Sequence, residues 1–412
     1  NTTRTQEMSS SADADPSRPA KRARAANGAD GSVSDDGAHE TPAALDLTLA
    51  LAASVHRHLT PSRIAELAET ARLLSTPGKG ITACDESAGT IGKRFEAVGI
   101  ENTEENRRSY RQMLFETEGS EECLCGAILD VETIYQKSTS SGKTFPQVLS
   151  ERGIVPGVKP HLKVYTLPGT NGDTVMQGLD SLAVRAREYY EAGARFAKWR
   201  SPISIDMLKG CPTDLAIRAN MHDLARYALI CQSEGLMPIV EPDVLLVGTH
   251  TLEEAVQVNV RVQSELYKAM VDHGVFMGGA TLKPNMINPG KDCPKDYTVE
   301  DIAAANLFVL DQSFPVAMQG ANYLSGGQTL DQACARVNAI NKMKGSRPWN
   351  LSFSWSQAFQ LPLLTLCKDT GTLQLKEMAQ LYLKELRMAS DASLGKWQGD
   401  SSEGNHTGTN TN

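Results

Sequence analysis

The stretch Gly279-Ala280-Thr281-Leu282-Lys283-Pro284-Asn285-Met286 places a lysine at the point where a buried strand must stop. Residues 279–282 read as a short buried strand, and Pro284 lacks the N–H that a central ladder requires. Lys283 therefore takes the last position of a strand, where the chain turns into a loop. A lysine there is either a solvated strand end or an amine aimed into a pocket. In a low-dielectric pocket beside another cation its pKa falls, and the neutral amine becomes a nucleophile toward a carbonyl carbon.

On both sides of Lys283, short apolar runs alternate with longer amphipathic stretches, the pattern of a parallel α/β sheet. Strands are expected over 80–86, 126–131, 155–161, 196–201, 237–243, 279–285, 316–325 and 350–356. Eight such runs match a closed (β/α)8 TIM barrel. Helical spacing marks 214–234 through Leu215, Ile217, Met221, Leu224 and Leu229, and also marks 252–273 and 375–389. An open doubly wound sheet is the alternative, but no G-x-G-x-x-G follows the first strand to anchor it.

The ends of these strands carry the chemistry. Asp85 and Glu86 end the first, Lys159 the third, Lys198 and Arg200 the fourth, Glu241 and Asp243 the fifth and Lys283 the sixth. Ser325-Gly326-Gly327 ends the seventh. A barrel gathers these ends on one face, where active sites are built. Alternation sends Lys198 and Arg200 the same way, and likewise Glu241 and Asp243. A structural ion-pair network in the barrel mouth is the competing explanation. Several cations with few acids suit an anionic, phosphorylated substrate. A Lys283 amine near Lys198 can form an imine, Glu241 can shuttle its protons, and Asp85 can take a hydroxyl proton. Backbone N–H groups of Ser325-Gly326-Gly327 can cradle a phosphate.

Composition bounds the remaining possibilities. The chain has 412 residues, 41% of them hydrophobic, and a net charge of −8, which gives no global case for nucleic-acid binding. No apolar run approaches the ~18 residues of a membrane span. The 8 cysteines are scattered apart from Cys123-Leu124-Cys125, whose spacing fits neither a zinc ribbon nor a redox pair. They read as the reduced thiols of an intracellular protein, with no metal site and no cofactor expected. Residues 1–58 read as a disordered, targeting-like extension, 59–398 as the barrel and 399–412 as a disordered tail. The cytoplasm is the expected location. A basic cluster near Lys21 leaves a nuclear address open, and the Ser and Arg content a plastid one, although the acids are too numerous for a typical transit peptide.

Pro77-Gly78-Lys79-Gly80-Ile81, Asp85-Glu86-Ser87, Phe196-Ala197-Lys198-Trp199-Arg200, Pro238-Ile239-Val240-Glu241-Pro242, Leu282-Lys283-Pro284-Asn285-Met286 and Leu324-Ser325-Gly326-Gly327-Gln328 together resemble the class I fructose-bisphosphate aldolases. The blocks run in the family's order across roughly residues 60–396. The resemblance implies a homotetramer that cleaves fructose 1,6-bisphosphate reversibly into two triose phosphates. It assigns the Schiff base to Lys283, the acid/base of imine formation to Glu241, and support of C–C cleavage to Asp85 and Lys198. Lys159, Arg200 and Arg94 match basic groups near the phosphates, while Ser325, Gly326 and Ser354, with Gly327 in the same loop, match the site for the other phosphate.

Departures from the family pattern are also present. Ser356-Gln357 replaces a Gly-Arg pair, Asp243 a glutamate, Thr90 a serine, Arg195 an acid, and the C-terminal tyrosine has no counterpart in 401–412. An aldolase-derived scaffold with residual or no catalysis is therefore the alternative function. Glutamine offers a phosphate only neutral amide donors, where arginine would give a bidentate, charge-assisted pair. On sequence grounds, Gln357→Arg raises kcat/KM for fructose 1,6-bisphosphate by at least about tenfold. Steady-state cleavage kinetics of the variant check this.

Overall fold

Residues 42–408 are described by the computed structural model, with side chains described from Leu47 onward. The expectations for residues 1–41, including the basic cluster near Lys21, and for 409–412 lie outside the described residues. Ten strands form among the described residues: β1 (Gly80–Cys84), β2 (Leu124–Leu129), β3 (Val155–Val158), β4 (Val164–Thr166), β5 (Thr174–Met176), β6 (Phe196–Ile203), β7 (Met237–Val244), β8 (Thr281–Leu282), β9 (Gly320–Tyr323) and β10 (Asn350–Trp355). Eight of them close into a barrel in the order β1-β2-β3-β6-β7-β8-β9-β10, with β10 returning to β1. Every barrel pair is parallel. The expected (β/α)8 barrel is present; β4 and β5 pair with each other as an antiparallel hairpin inserted between β3 and β6.

Helices Asp214–Ser233, Leu252–Asp272, Val299–Ser313 and Leu330–Met343 follow β6, β7, β8 and β9. Each starts at a threonine, Thr213, Thr251, Thr298 or Thr329, whose side chain accepts a backbone N–H of the first turn. The last three add a reciprocal bond from Glu254, Asp301 or Gln332, a capping box that satisfies a second orphan donor. These starts fix where each loop at the barrel mouth must end. In β7 every residue is buried, Glu241 and Asp243 included, because a parallel strand is covered on both faces. Acids in that strand cannot be ordinary solvated charges.

The opposite end of the barrel is closed by apolar packing. Ile64, Leu67, Ala71 and Leu74 of helix Pro61–Leu74 join Ile81, Cys125, Phe196, Met237 and Ile239 in one cluster. The Phe196 ring fits beside β3 because residue 157 has no side chain: a Cβ there would lie 2.3 Å from it.

Several boundaries differ from the sequence reading. The extension does not run to residue 58, since a helix forms over Pro42–Val55. Leu49, Ala52 and Ala53 pack against the apolar cluster at the closed end, and His56 Nδ1 lies 3.0 Å from Gly274 O. This Ala- and Leu-rich stretch is a strong helix former whose signal disappears when averaged with the polar residues before it. The tail expected over 399–412 is likewise not disordered as far as Gly408. Tyr297 and His406 exchange backbone bonds of 2.9 and 2.8 Å, and Arg336 Nε donates to Gly404 O at 2.8 Å. Val299 N–H donates to Asn405 Oδ1 at 2.8 Å, and Gly408 N–H to Asp296 Oδ1 at 2.6 Å. Order here comes from hydrogen bonds to the body, so apolar content underestimates it. Finally, β8 is only two residues long because Met277–Gly279 forms a tight turn before it. Lys283 N–H nevertheless continues the ladder to Val240 O at 2.9 Å.

The half-buried side chains of Leu49, Ala52 and Ala53 contribute about 1–2 kcal/mol at the usual value per area. Removal of residues 1–58 therefore lowers the thermal midpoint by about 1–3 °C relative to removal of 1–41. Differential scanning calorimetry of the two truncations tests this packing.

Candidate active site

A cavity of about 430 Å³ opens at the C-terminal ends of the barrel strands. It is lined by Asp85, Arg94, Lys198, Arg200, Glu241, Lys283, Ser325, Gly326, Gly327 and Ser354, all singled out from sequence. Lys159 does not line it. Its ammonium donates instead to Asp85 O at 2.6 Å and Asp130 Oδ2 at 2.9 Å, fastening the end of β1 to that of β2. Lys291, from the loop after β8, does line it and was not singled out from sequence.

At the floor of the cavity stands a buried ionic group. Lys198 Nζ lies 2.8 Å from Asp85 Oδ2 and 3.1 Å from Glu241 Oε2, and Lys283 Nζ lies 3.7 Å from the same Glu241 oxygen. Burial alone would lower the Lys198 pKa, but the two carboxylates outweigh it and raise it, so Lys198 stays charged. Burial alone would raise that of Asp85, yet the Lys198, Lys283 and Lys159 charges hold it far below the usual carboxylate range. Lys283 goes the other way. Its pKa is lowered, first by burial and then by the Lys198 ammonium, against the pull of Glu241. The cation that sequence reasoning named is thus the second cause, and loss of water is the first. One lysine is held as an ammonium while its neighbour is eased toward a free amine.

The wall beside this group is pinned by ion pairs. Arg200 Nε donates to Asp243 Oδ2 at 2.7 Å, and the register sets Arg200 opposite Glu241. Burial raises the Asp243 pKa in spite of that partner. Arg94 Nη1 donates to Glu86 Oε1 at 2.9 Å, Ser356 Oγ at 3.1 Å and Gln360 Oε1 at 2.7 Å. Ser356 Oγ in turn donates to Glu86. The serine at the family's glycine position is thereby absorbed into the Arg94–Glu86 pair, and its φ of −119° is open to any residue.

Across the cavity, Ser325-Gly326-Gly327 forms the turn after β9, with Gly326 and Gly327 at φ of 60° and 80°. Successive left-handed residues of this kind point backbone N–H groups into one concavity, a geometry suited to an anion. Gln328 holds the turn closed: its N–H and its side-chain amide donate to Ser325 O at 3.0 and 2.6 Å. Ser354 lines the same cavity, and its buried Oγ has no hydrogen-bond partner among the described residues.

Removing the central ammonium leaves Asp85 and Glu241 buried with no charge between them. Lys198→Met is expected to cost about 3–5 kcal/mol of stability, as breaking a buried pair does. Adding Asp85→Asn to it recovers part of that loss. Urea unfolding of the single and double variants measures both effects.

Comparisons with known proteins agree with this geometry. The family model described as "Fructose-bisphosphate aldolase class-I" matches residues 66–411. A fructose-bisphosphate aldolase of Dictyostelium discoideum is 46% identical over 340 residues, covering 82% of this chain and 94% of that protein. Fructose-bisphosphate aldolase 1 of Toxoplasma gondii is 48% identical over 335 residues, covering 81% and 91%. The cytosolic fructose-bisphosphate aldolase 5 of Arabidopsis thaliana is 46% identical over 338 residues, covering 82% and 93%. Among solved structures, the aldolase of Plasmodium falciparum, crystallised with TRAP and a small molecule inhibitor, superposes with a TM-score of 0.80 at 41% identity, covering 83% of this chain and 98% of its own. With its barrel, its lysine-bearing strand end and these matches across most of its length, the chain belongs to the class I fructose-bisphosphate aldolase family.

Proposed function

We propose that the chain is a lyase that cleaves fructose 1,6-bisphosphate reversibly to dihydroxyacetone phosphate and glyceraldehyde 3-phosphate through an imine on Lys283. The observation that carries this reading is the buried Lys283 amine of lowered pKa, 3.7 Å from Glu241 and beside the charged Lys198. In its neutral form the amine adds to the C2 carbonyl, and Glu241 transfers the protons that allow water to leave. The iminium accepts the electron pair of the C3–C4 bond while Asp85 takes the proton of the C4 hydroxyl. Glyceraldehyde 3-phosphate departs, the enamine is protonated at C3, and water releases dihydroxyacetone phosphate. Lys198 stabilises the charges that shift along this path.

The substrate's phosphates are assigned to opposite sides of the cavity. Ser325, Gly326, Gly327 and Ser354 receive one of them, and Arg94 and Arg200 attract the other. Lys159, tied to Asp85 O and Asp130, acts by fixing the end of β1. A scaffold without catalysis has no use for a buried amine of lowered pKa, so retention of Lys283, Glu241, Lys198 and Asp85 favours the enzyme. The family resemblance supports a homotetramer, for which sedimentation is the test. The cytosolic designation of the Arabidopsis relative supports a cytoplasmic location.

Borohydride added with dihydroxyacetone phosphate inactivates the protein and leaves a reduced adduct that peptide mass spectrometry finds on Lys283. Trapping accelerates as pH rises, because only the neutral amine adds, and it levels off below the ~10.4 of an ordinary lysine. The imine itself is the electron sink, so a chelator leaves cleavage unchanged. An adduct on another residue, or activity lost to chelator, would remove this mechanism.

A further inference from the structure

Five cations line the cavity, and a carboxylate of the cavity lies near four of them. Lys198 sits with Asp85 and Glu241, Arg200 with Asp243, Arg94 with Glu86, and Lys283 is 3.7 Å from Glu241. Lys291 is the exception: its exposed ammonium has no carboxylate partner among the described residues. Its position is specific. A methyl group placed on Gly327 would lie 3.1 Å from Lys291 Nζ and 3.4 Å from Gln357 Oε1, so both side-chain tips hang over the Ser325-Gly326-Gly327 turn.

The backbone beneath Lys291 is firmly held. Lys291 N–H donates to Leu246 O at 2.8 Å, and Gly290 N–H to His250 O at 2.8 Å. Gly290 approaches so closely that a Cβ there would fall 2.2 Å from Gly248 O. This loop therefore presents the lysine from a fixed base, as a site needs if it is not to spend binding energy on ordering.

We infer that Lys291 supplies the positive charge of the phosphate subsite at Ser325-Gly326-Gly327, taking over from the arginine that Gln357 replaces. The inference rests on the aldolase reading proposed above. A phosphate dianion in that turn would meet backbone N–H groups from below and an ammonium with no internal counter-charge from the side. Gln357 then plays a neutral part, its amide carbonyl free to accept from Lys291 and its N–H groups free to donate to phosphate. The phosphate concerned is that on C1, next to the C2 bound by Lys283. Leu324 N–H donates to Pro284 O at 2.9 Å, so the turn begins directly beside the reactive lysine.

The test measures how much dihydroxyacetone phosphate half-saturates borohydride trapping of Lys283 in the full chain. Lys291→Met raises that concentration about ten- to a hundredfold, and Lys291→Arg restores most of it. Trapping by unphosphorylated dihydroxyacetone is the same in all three proteins. Gln357→Arg then rescues the Lys291→Met protein by about tenfold but improves the parent by less than threefold, short of the gain of about tenfold expected from the sequence alone, because a cation already stands there. Unchanged half-saturation in Lys291→Met overturns the inference. So does an equal loss with unphosphorylated dihydroxyacetone, which marks a structural role. If the parent protein yields no adduct at all, the imine reading itself has failed and this inference goes with it.

Discussion

A single ammonium, Lys198, buried 2.8 Å from Asp85 and 3.1 Å from Glu241, sets the electrostatics of the whole barrel mouth. It neutralises two acids that could not otherwise share a dry site. It holds Asp85 ionised against burial, and it adds to the burial that weakens protonation of Lys283. Three strands and β1 supply these groups, so the arrangement exists only while the barrel is closed. Fold and reactivity are linked through one charge.

The parts of this structure legible in the sequence are those that repeat. Eight apolar runs, six of them ending in a charged or glycine-rich step, already specify a barrel with a populated rim, and parity along 196–201 and 237–243 correctly paired Lys198 with Arg200 and Glu241 with Asp243 on the cavity side. What escaped has no periodic signature. Helix Pro42–Val55 was averaged into the polar stretch before it, and the tail is ordered by backbone bonds that composition does not record. Lys159 carries the charge expected at a phosphate, but its partners, Asp85 O and Asp130, emerge only when β1, β2 and β3 are side by side. Lys291 could have been suspected from Asn288-Pro289-Gly290 before it, a turn signal at the exit of the lysine strand, but its approach to Gly327 depends on where two distant loops meet.

The substitutions that set this chain apart from its family pattern are handled unequally by the fold. Ser356 finds two partners at once, Glu86 and Arg94, so the added hydroxyl ties down a pair that would otherwise be looser. Asp243 is shorter than a glutamate by one methylene yet still reaches Arg200 at 2.7 Å. Gln357 alone among these positions leaves a deficit of charge, and the nearest answer to it comes from a different strand end.

Arg336 has a place in the molecule that reaches beyond packing. It is buried and its pKa is pushed down to about 10 by that burial, because its hydrogen-bond partners are neutral oxygens. It donates to Gly404 O and Asn405 O on one side and at 2.6 Å to Gln328 Oε1 on the other, and Gln328 in turn closes the Ser325 turn. Gly404 and Asn405 therefore act as a keystone for a loop some eighty positions earlier in the chain. Limited digestion by a carboxypeptidase, or a reporter fused too tightly behind Gly408, would be felt first at the cavity rim, while the barrel beneath it still melted as a whole.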